Sequence, residues 1–271
     1  MKKLVLIAGL PRSGSTLLCN ILNMNPIFHA TATSPMIDVI SSIRNTFSHN
    51  ITSKTNNRLE EMVNIKNGIK GFVEGYYSDK EVVFDKSRGW TSKLGLMDYI
   101  MEDYDIKIIW TYRDPVQVVN SIEGQYQKTI LLENADEAAG GNFATLGSRI
   151  DTFINDGGIV ANPVWLLNDL YDMGMENRVF IIKYDDLTNG TQEVMNQIHN
   201  FIGEDKFDYD KNNFTDLKQT TNEFDGIYNY KFPHTIKEGE IKHIERKNKL
   251  PQYIVDNINQ RFSWVNSLVK K

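Results

Sequence analysis

Apolar residues fall along this chain in two rhythms. Four short, β-branched runs, at residues 4–8, 82–84, 107–111 and 179–182, lack the polar alternation of a half-exposed strand. Runs of that kind suit parallel strands covered on both faces. Between them lie stretches with apolar residues at helical spacing, over 15–24, 35–47, 57–77, 115–127 and 163–173. The tail over 251–265 reads as a closing helix with Ile254, Ile258 and Phe262 on one face. Strand alternating with helix predicts an α/β fold: an open parallel sheet of about four to five strands, flanked by helices on both faces and joined by right-handed crossovers.

No internal repeat or low-complexity linker interrupts the pattern, so residues 1–271 are expected to form one domain. Two excursions are expected from it, near 129–147, with Gly140 and Gly141, and over 204–240, rich in Asp, Asn and Lys. Long loops in compact α/β domains carry function, which makes the second a candidate to reach the site.

Composition narrows the chemistry. At 41% hydrophobic and 24% charged, the chain holds enough apolar material for a full core. The lone Cys19 excludes a disulfide framework and a cysteine-based zinc cluster. A net charge of -5 argues against a general nucleic-acid binder. Any bound anion must therefore be held by a local site rather than by the field of the whole molecule. No apolar run approaches the ~18 residues of a membrane span. The opening Met1-Lys2-Lys3 and the apolar residues 4–10 are too short for a signal peptide and run into Pro11-Arg12-Ser13-Gly14 without a small-residue cleavage site. A cytoplasmic location is expected on these grounds. Abundant Asn, Ile and Lys beside nine Arg fits an AT-rich bacterial or viral genome.

The strongest local signal is Leu4-Val5-Leu6-Ile7-Ala8-Gly9-Leu10-Pro11-Arg12-Ser13-Gly14-Ser15-Thr16. A buried strand runs into a glycine turn and straight into a helix. Backbone N–H groups of such a turn, with the positive end of the helix dipole, make an anion site of P-loop type. Ser15 and Thr16 can add hydroxyl donors. The stretch from Gly9 to Thr16 nearly matches G-x-x-x-x-G-K-[ST], but Ser15 occupies the lysine position and the positive charge sits at Arg12. A nucleoside triphosphate would lose one of its main clamps there. The plain alternative is a glycine turn whose helix is capped by Ser13.

Two more strands deliver cations at their carboxyl ends, where open α/β sheets bind ligands. After residues 107–111 come Tyr112-Arg113-Asp114-Pro115, with Asp114 and Pro115 suited to start a helix. Ser121, eight residues beyond Arg113, lies about two turns into that helix. Arg113 and Ser121 can hold a second phosphate, although the same residues also make an ordinary strand-to-helix junction. After residues 82–84 come Asp85-Lys86-Ser87-Arg88. Lys86 can stabilise negative charge on a leaving group, with Asp85 orienting it or capping a turn. A surface Asp–Lys pair is the alternative.

These motifs resemble the sulfotransferases that use 3′-phosphoadenosine 5′-phosphosulfate (PAPS), in the branch with tyrosylprotein and Golgi carbohydrate enzymes and many bacterial and viral members. Pro11 to Leu18 is similar to the family's 5′-phosphosulfate loop, Arg113 with Ser121 to its 3′-phosphate element, and Asp85-Lys86 to its D-K pair. Lys183-Tyr184-Asp185-Asp186-Leu187 resembles R-Y-E-D-L, whose tyrosine lies near the cofactor, and Phe201-Ile202-Gly203 resembles F-L-G. The matches keep family order from residue 4 to 203. The resemblance implies transfer of a sulfuryl group from PAPS to a hydroxyl or amine of a small molecule, saccharide or protein, leaving adenosine 3′,5′-bisphosphate (PAP). It implies in-line displacement without metal, with PAP and PAPS held by Arg12, Ser13, Gly14, Ser15, Thr16, Arg113, Ser121 and Tyr184. Arg12 and Lys86 then stabilise the leaving oxygen.

The chain departs from the family where a general base is needed. Many members carry a glutamate roughly twenty residues after the loop arginine. Here the region reads His29-Ala30-Thr31-Ala32-Thr33-Ser34-Pro35-Met36-Ile37-Asp38, so Asp38 is the nearest carboxylate and His29 the other candidate. His234 and Lys237 fall where the family has a late loop over the cofactor. Two rivals remain beside the sulfotransferase reading: a P-loop kinase or nucleotide hydrolase, and a non-catalytic protein that binds the nucleotide on the same fold.

Overall fold

A computed structural model describes residues 1–55, 58–126, 145–210, 212, 239–244 and 247–270. Its centre is a five-stranded, all-parallel sheet in the order β2-β3-β1-β4-β5. The strands are β1 (Lys3–Gly9), β2 (Phe28–Ala30), β3 (Val82–Lys86), β4 (Lys107–Tyr112) and β5 (Val179–Lys183). Four of them extend the expected runs by one or two residues. The fifth, β2, was not expected. Its three residues, Phe-His-Ala, are too few to show a period and are fixed instead by pairing with Val82–Phe84 of β3.

Alternation along β1 explains the two-faced core. Leu4, Leu6 and Ala8 face one apolar cluster, and Val5 and Ile7 face another. On the first face pack α2 (Met36–His49), α4 (Arg58–Tyr76), α5 (Leu94–Ile100), α6 (Pro115–Tyr126), α7 (Leu146–Ile154), α8 (Ala161–Asp172), α11 (Gln252–Arg261) and α12 (Ser263–Leu268). On the second pack α1 (Ser15–Leu22), α9 (Tyr184–Asn189) and α10 (Thr191–Ile202). A short helix, α3 (Ile51–Thr55), follows α2. With strands covered on both sides, the apolar runs needed no polar alternation.

Several expected bounds change. The closing helix is two helices, interrupted at Phe262 (φ -103°, ψ 20°), though Ile254, Ile258 and Phe262 are buried as expected. Of the expected excursion near 129–147, residues 146 and 147 open α7, which Thr145 and Ser148 start with a reciprocal capping box. The rest, 129–144, lies outside the described residues, as does most of 204–240. Residues 204–210 form no regular element, yet Tyr209 is buried and its hydroxyl meets His199 Nε2 at 2.9 Å. No helix among the described residues is long and apolar enough to cross a membrane.

Register decides where the site lies. Ile7 is beside Lys86 on one flank, and Gly9 is beside Thr111 on the other. The glycine turn, Lys86 and Arg113 therefore leave the sheet at the same carboxyl edge.

Candidate anion and transfer site

The turn from β1 into α1 is held open by unusual backbone. Gly9 has φ +129°, and a Cβ there would lie 2.3 Å from the Thr111 carbonyl oxygen. Only a glycine lets β1 end this close to β4. Arg12 (φ 59°) and Gly14 (φ 85°) are left-handed, so the chain reverses before α1. Leu10 N–H donates to Thr111 O at 2.9 Å. Ser13 is buried, its hydroxyl 2.5 Å from the Leu10 carbonyl and 2.6 Å from Thr111 Oγ1. This removes the plain alternative: the Ser13 side chain does not cap α1, whose cap is Gly14 without a side-chain bond. Its hydroxyl shapes the turn, and only its backbone remains to serve an anion.

Arg113 is 9% exposed and reaches toward the turn. Its Nη1 donates to the Arg12 carbonyl at 3.3 Å, and its guanidinium lies 4.5 Å from the centre of the Tyr184 ring. Tyr184 in turn lies against the turn: a Cβ on Gly14 would come within 2.8 Å of Tyr184 Cδ2. Gly14, Arg113 and Tyr184, from three separate segments, thus form one packed unit. Asp114 caps α6 through Val116 N–H at 2.7 Å, as the Asp-Pro pair implied. Ser121 is buried on α6. Its neighbour Asn120 ties the helix to the carboxyl-terminal segment, donating to Lys247 O at 3.2 Å and accepting from Lys249 N at 3.0 Å.

Lys86 ends β3 with its Nζ donating to Thr16 Oγ1 at 3.0 Å. Burial lowers its pKa below the ordinary lysine value, and nearby Arg88 adds to the effect. The expected partnership with Asp85 is absent. Adjacent strand residues project to opposite faces, and Asp85 faces Tyr77 and Trp90 instead. Its carboxylate, 1% exposed, accepts from Trp90 Nε1 at 2.7 Å, from Ser34 Oγ at 2.6 Å and from the Tyr77 hydroxyl. It is neither an orienting group for Lys86 nor half of a surface pair. Burial pushes the Asp85 carboxyl up, against the pull of those three donors. Sequence reading does not single out Ser34 and Tyr77; the strand alternation that separates Asp85 from Lys86 is the available signal.

The remaining candidates disperse. Asp38 is exposed on the first turn of α2, and no side-chain hydrogen bond or ion pair among the described residues joins it to Lys86 or the turn. His29 is half-buried on β2, 6.1 Å from the Tyr77 ring, with its pKa lowered by burial first and by Lys80 next. His234 and Lys237 lie outside the described residues. Among the described residues, no group of three or more His, Cys, Asp or Glu is arranged to hold a metal ion.

An open parallel sheet whose carboxyl edge gathers a glycine turn, a lysine and an arginine defines a P-loop-type anion-binding α/β protein. The sulfotransferase-domain family model matches residues 2–221, and the chain belongs to that family of sulfuryl transferases. No protein of curated function matches the sequence. Among solved structures, the chain is similar to the sulfotransferase domain of the curacin biosynthetic pathway, with a TM-score of 0.59, 14% identity, and 97% and 98% of the two chains covered. It is also similar to sulfotransferase STF9 from Mycobacterium avium, with a TM-score of 0.51, 13% identity, and coverage of 97% and 75%. A third similar structure is mouse sulfotransferase SULT7A1 complexed with PAP, with a TM-score of 0.51, 14% identity, and coverage of 97% and 83%. At these identities the likeness shows a shared fold.

Proposed function

We propose that this protein moves a sulfuryl group from PAPS to a hydroxyl or amine acceptor by in-line displacement without a metal ion. One observation carries the reading: the Arg113 guanidinium is bonded to the Arg12 carbonyl and stacked on Tyr184, which itself lies on Gly14. We read this as two anion sites on the two sides of one turn, an arrangement that would suit a nucleotide with a 5′-phosphosulfate and a separate 3′-phosphate. The turn's backbone N–H groups with Ser15 and Thr16 would hold the first, and Arg113 with Ser121 the second. That a sulfotransferase of similar fold binds PAP adds support.

The contact between Lys86 and Thr16 bears on the rival reading. In a triphosphate site the hydroxyl at this position takes Mg²⁺. Here an ammonium lies 3.0 Å from it. A cation supplied by the protein takes the place a divalent ion would need, which favours a donor handled without metal. Lys86 and Arg12 would neutralise charge on the oxygen that bridges sulfur and phosphorus as it leaves.

Thermal stability in EDTA tests this. PAP should raise Tm by several degrees, because a ligand at a hundredfold over its Kd adds about 2.7 kcal/mol. Mg-ATP with added Mg²⁺ should do much less. A preference for Mg-ATP overturns the proposal. Transfer of labelled sulfate from PAPS then separates an enzyme from a nucleotide-binding relic.

A further inference from the structure

Displacement at sulfur requires that the acceptor lose a proton, and the reading above leaves that role unassigned. We propose that Ser34 and Asp85 form a proton relay: Ser34 Oγ takes the acceptor's proton while passing its own to Asp85 Oδ2. The inference rests on the sulfuryl-transfer reading and deepens it by naming the base.

Three observations converge on this pair. First, Asp85 has no lysine or arginine partner among the described residues; neutral donors alone hold it. A carboxylate kept that way in the interior is a better proton acceptor than one paired with a cation. It adjoins Lys86 at the end of β3, on the opposite face of the strand.

Second, Ser34 is the most exposed of the three donors to this carboxylate. Tyr77 is 2% and Trp90 1% exposed, whereas Ser34 is half-buried. Burial and the neighbouring Asp85 both push the Tyr77 phenol up, so it stays a donor.

Third, the hydrogen-bond inventory of Ser34 leaves room for a substrate. Its proton goes to Asp85 at 2.6 Å, and one lone pair accepts Met36 N–H at 3.1 Å. The Tyr77 hydroxyl is the other group beside Ser34 Oγ, and since its proton goes to Asp85, the second Ser34 lone pair can accept a substrate hydroxyl. The segment is moored beside Lys86: Thr31 N–H donates to Phe84 O at 3.0 Å, and Thr31 Oγ1 accepts Lys86 N–H at 3.1 Å.

The step balances as follows. The acceptor O–H bond breaks as the acceptor oxygen forms its bond to sulfur. That proton joins Ser34 Oγ, and the original Oγ proton joins Asp85 Oδ2. The sulfur–oxygen bond to the nucleotide breaks, and its electron pair stays on the 5′-phosphate, facing Lys86. Heavy atoms need not move, and Tyr77 and Trp90 remain donors to the protonated acid. After the products leave, the proton returns to water through Ser34.

The test compares acceptors that do and do not carry the proton. Sulfur-labelled PAPS is supplied with phenol, with water alone, and with 4-nitrophenol above neutral pH, where it is already ionised. Ser34→Ala should lower kcat about a hundredfold for phenol and for hydrolysis, the scale of general base catalysis. It should leave 4-nitrophenolate within about threefold. Ser34→Thr, which keeps the hydroxyl, should restore most of the phenol rate, and Asp85→Asn should repeat the Ser34→Ala pattern. Should Asp85→Asn fail to fold, the two Ser34 variants decide alone. Equal losses for phenol and 4-nitrophenolate, or none for phenol, overturn the relay. So does a wild-type protein that PAP stabilises but that transfers sulfate to neither phenol nor water, and there the nucleotide reading survives. Absence of any stabilisation by PAP instead defeats the underlying reading.

Discussion

Beyond the ends of β4 and β5, the side chains that meet the glycine turn touch backbone and ring faces: Arg113 a carbonyl and a ring, Tyr184 a bare Cα. On the β3 side contacts run through hydroxyls, with Lys86 on Thr16 and Asp85 on Ser34 and Tyr77. The first kind of contact has no proton to give up and fixes a charge in place. The second kind joins groups that can exchange partners when a substrate arrives. Recognition of a nucleotide suits the rigid flank, and bond rearrangement suits the flank of hydroxyls.

Substitutions can break this contrast at graded cost. Gly9→Ala should have the largest effect. Its φ of +129° and the 2.3 Å approach to Thr111 leave no room for a methyl group against backbone. We expect a loss of about 4 kcal/mol or failure to fold, read by denaturant unfolding. Lys86→Met should lower kcat/KM for PAPS by roughly ten- to a hundredfold, the worth of one charged hydrogen bond, while the protein still binds PAP. Arg113→Ala should weaken PAP binding about tenfold in calorimetry and leave adenosine 5′-phosphosulfate, which lacks the 3′-phosphate, within about threefold. Equal losses for both nucleotides would show that the guanidinium serves the turn rather than the ligand.

The smallest effect is one of pH. Lys86 acts as an ammonium, and burial lowers its pKa. In the free protein kcat/KM should therefore fall as pH rises through a value below that of ordinary lysine, and Lys86→Arg should carry the plateau further. Stability moves the other way. Between the lowered folded pKa and the ordinary unfolded one, the unfolded chain holds more protons, so the Lys86 contribution to stability rises with pH. Rate and stability profiles with the same slope would contradict the burial of this lysine.

Sequence reading reached whatever is local. β1 and the turn after it, with Asp114 capping α6, follow from a few neighbouring residues whose spacing already carries the physics. The site's second layer is not local. Ser34 lies 51 residues from Asp85 and Tyr77 lies 8 from it, and the sheet alone brings them together. β2 is three residues long and exists because β3 offers an unpaired edge, which no period in the sequence announces. The pairing of Asp85 with Lys86 was misread although the rule against it was at hand: neighbours on one strand cannot share a face. The alternative of Ser13 as a helix cap fails for a different reason: its hydroxyl meets Thr111, a residue 98 positions away, at a distance of 2.6 Å.

The sheet order carries a last consequence, for synthesis. β1 precedes the other strands in the chain, yet its neighbours are β3 and β4, so it has no partner until the chain has been made through Lys86, and its second edge has none until Tyr112. At translation rates of about 5–20 residues per second, this apolar segment waits several seconds with both edges bare. The nascent chain is then prone to aggregate, and a chaperone that shields extended apolar peptide would act on β1.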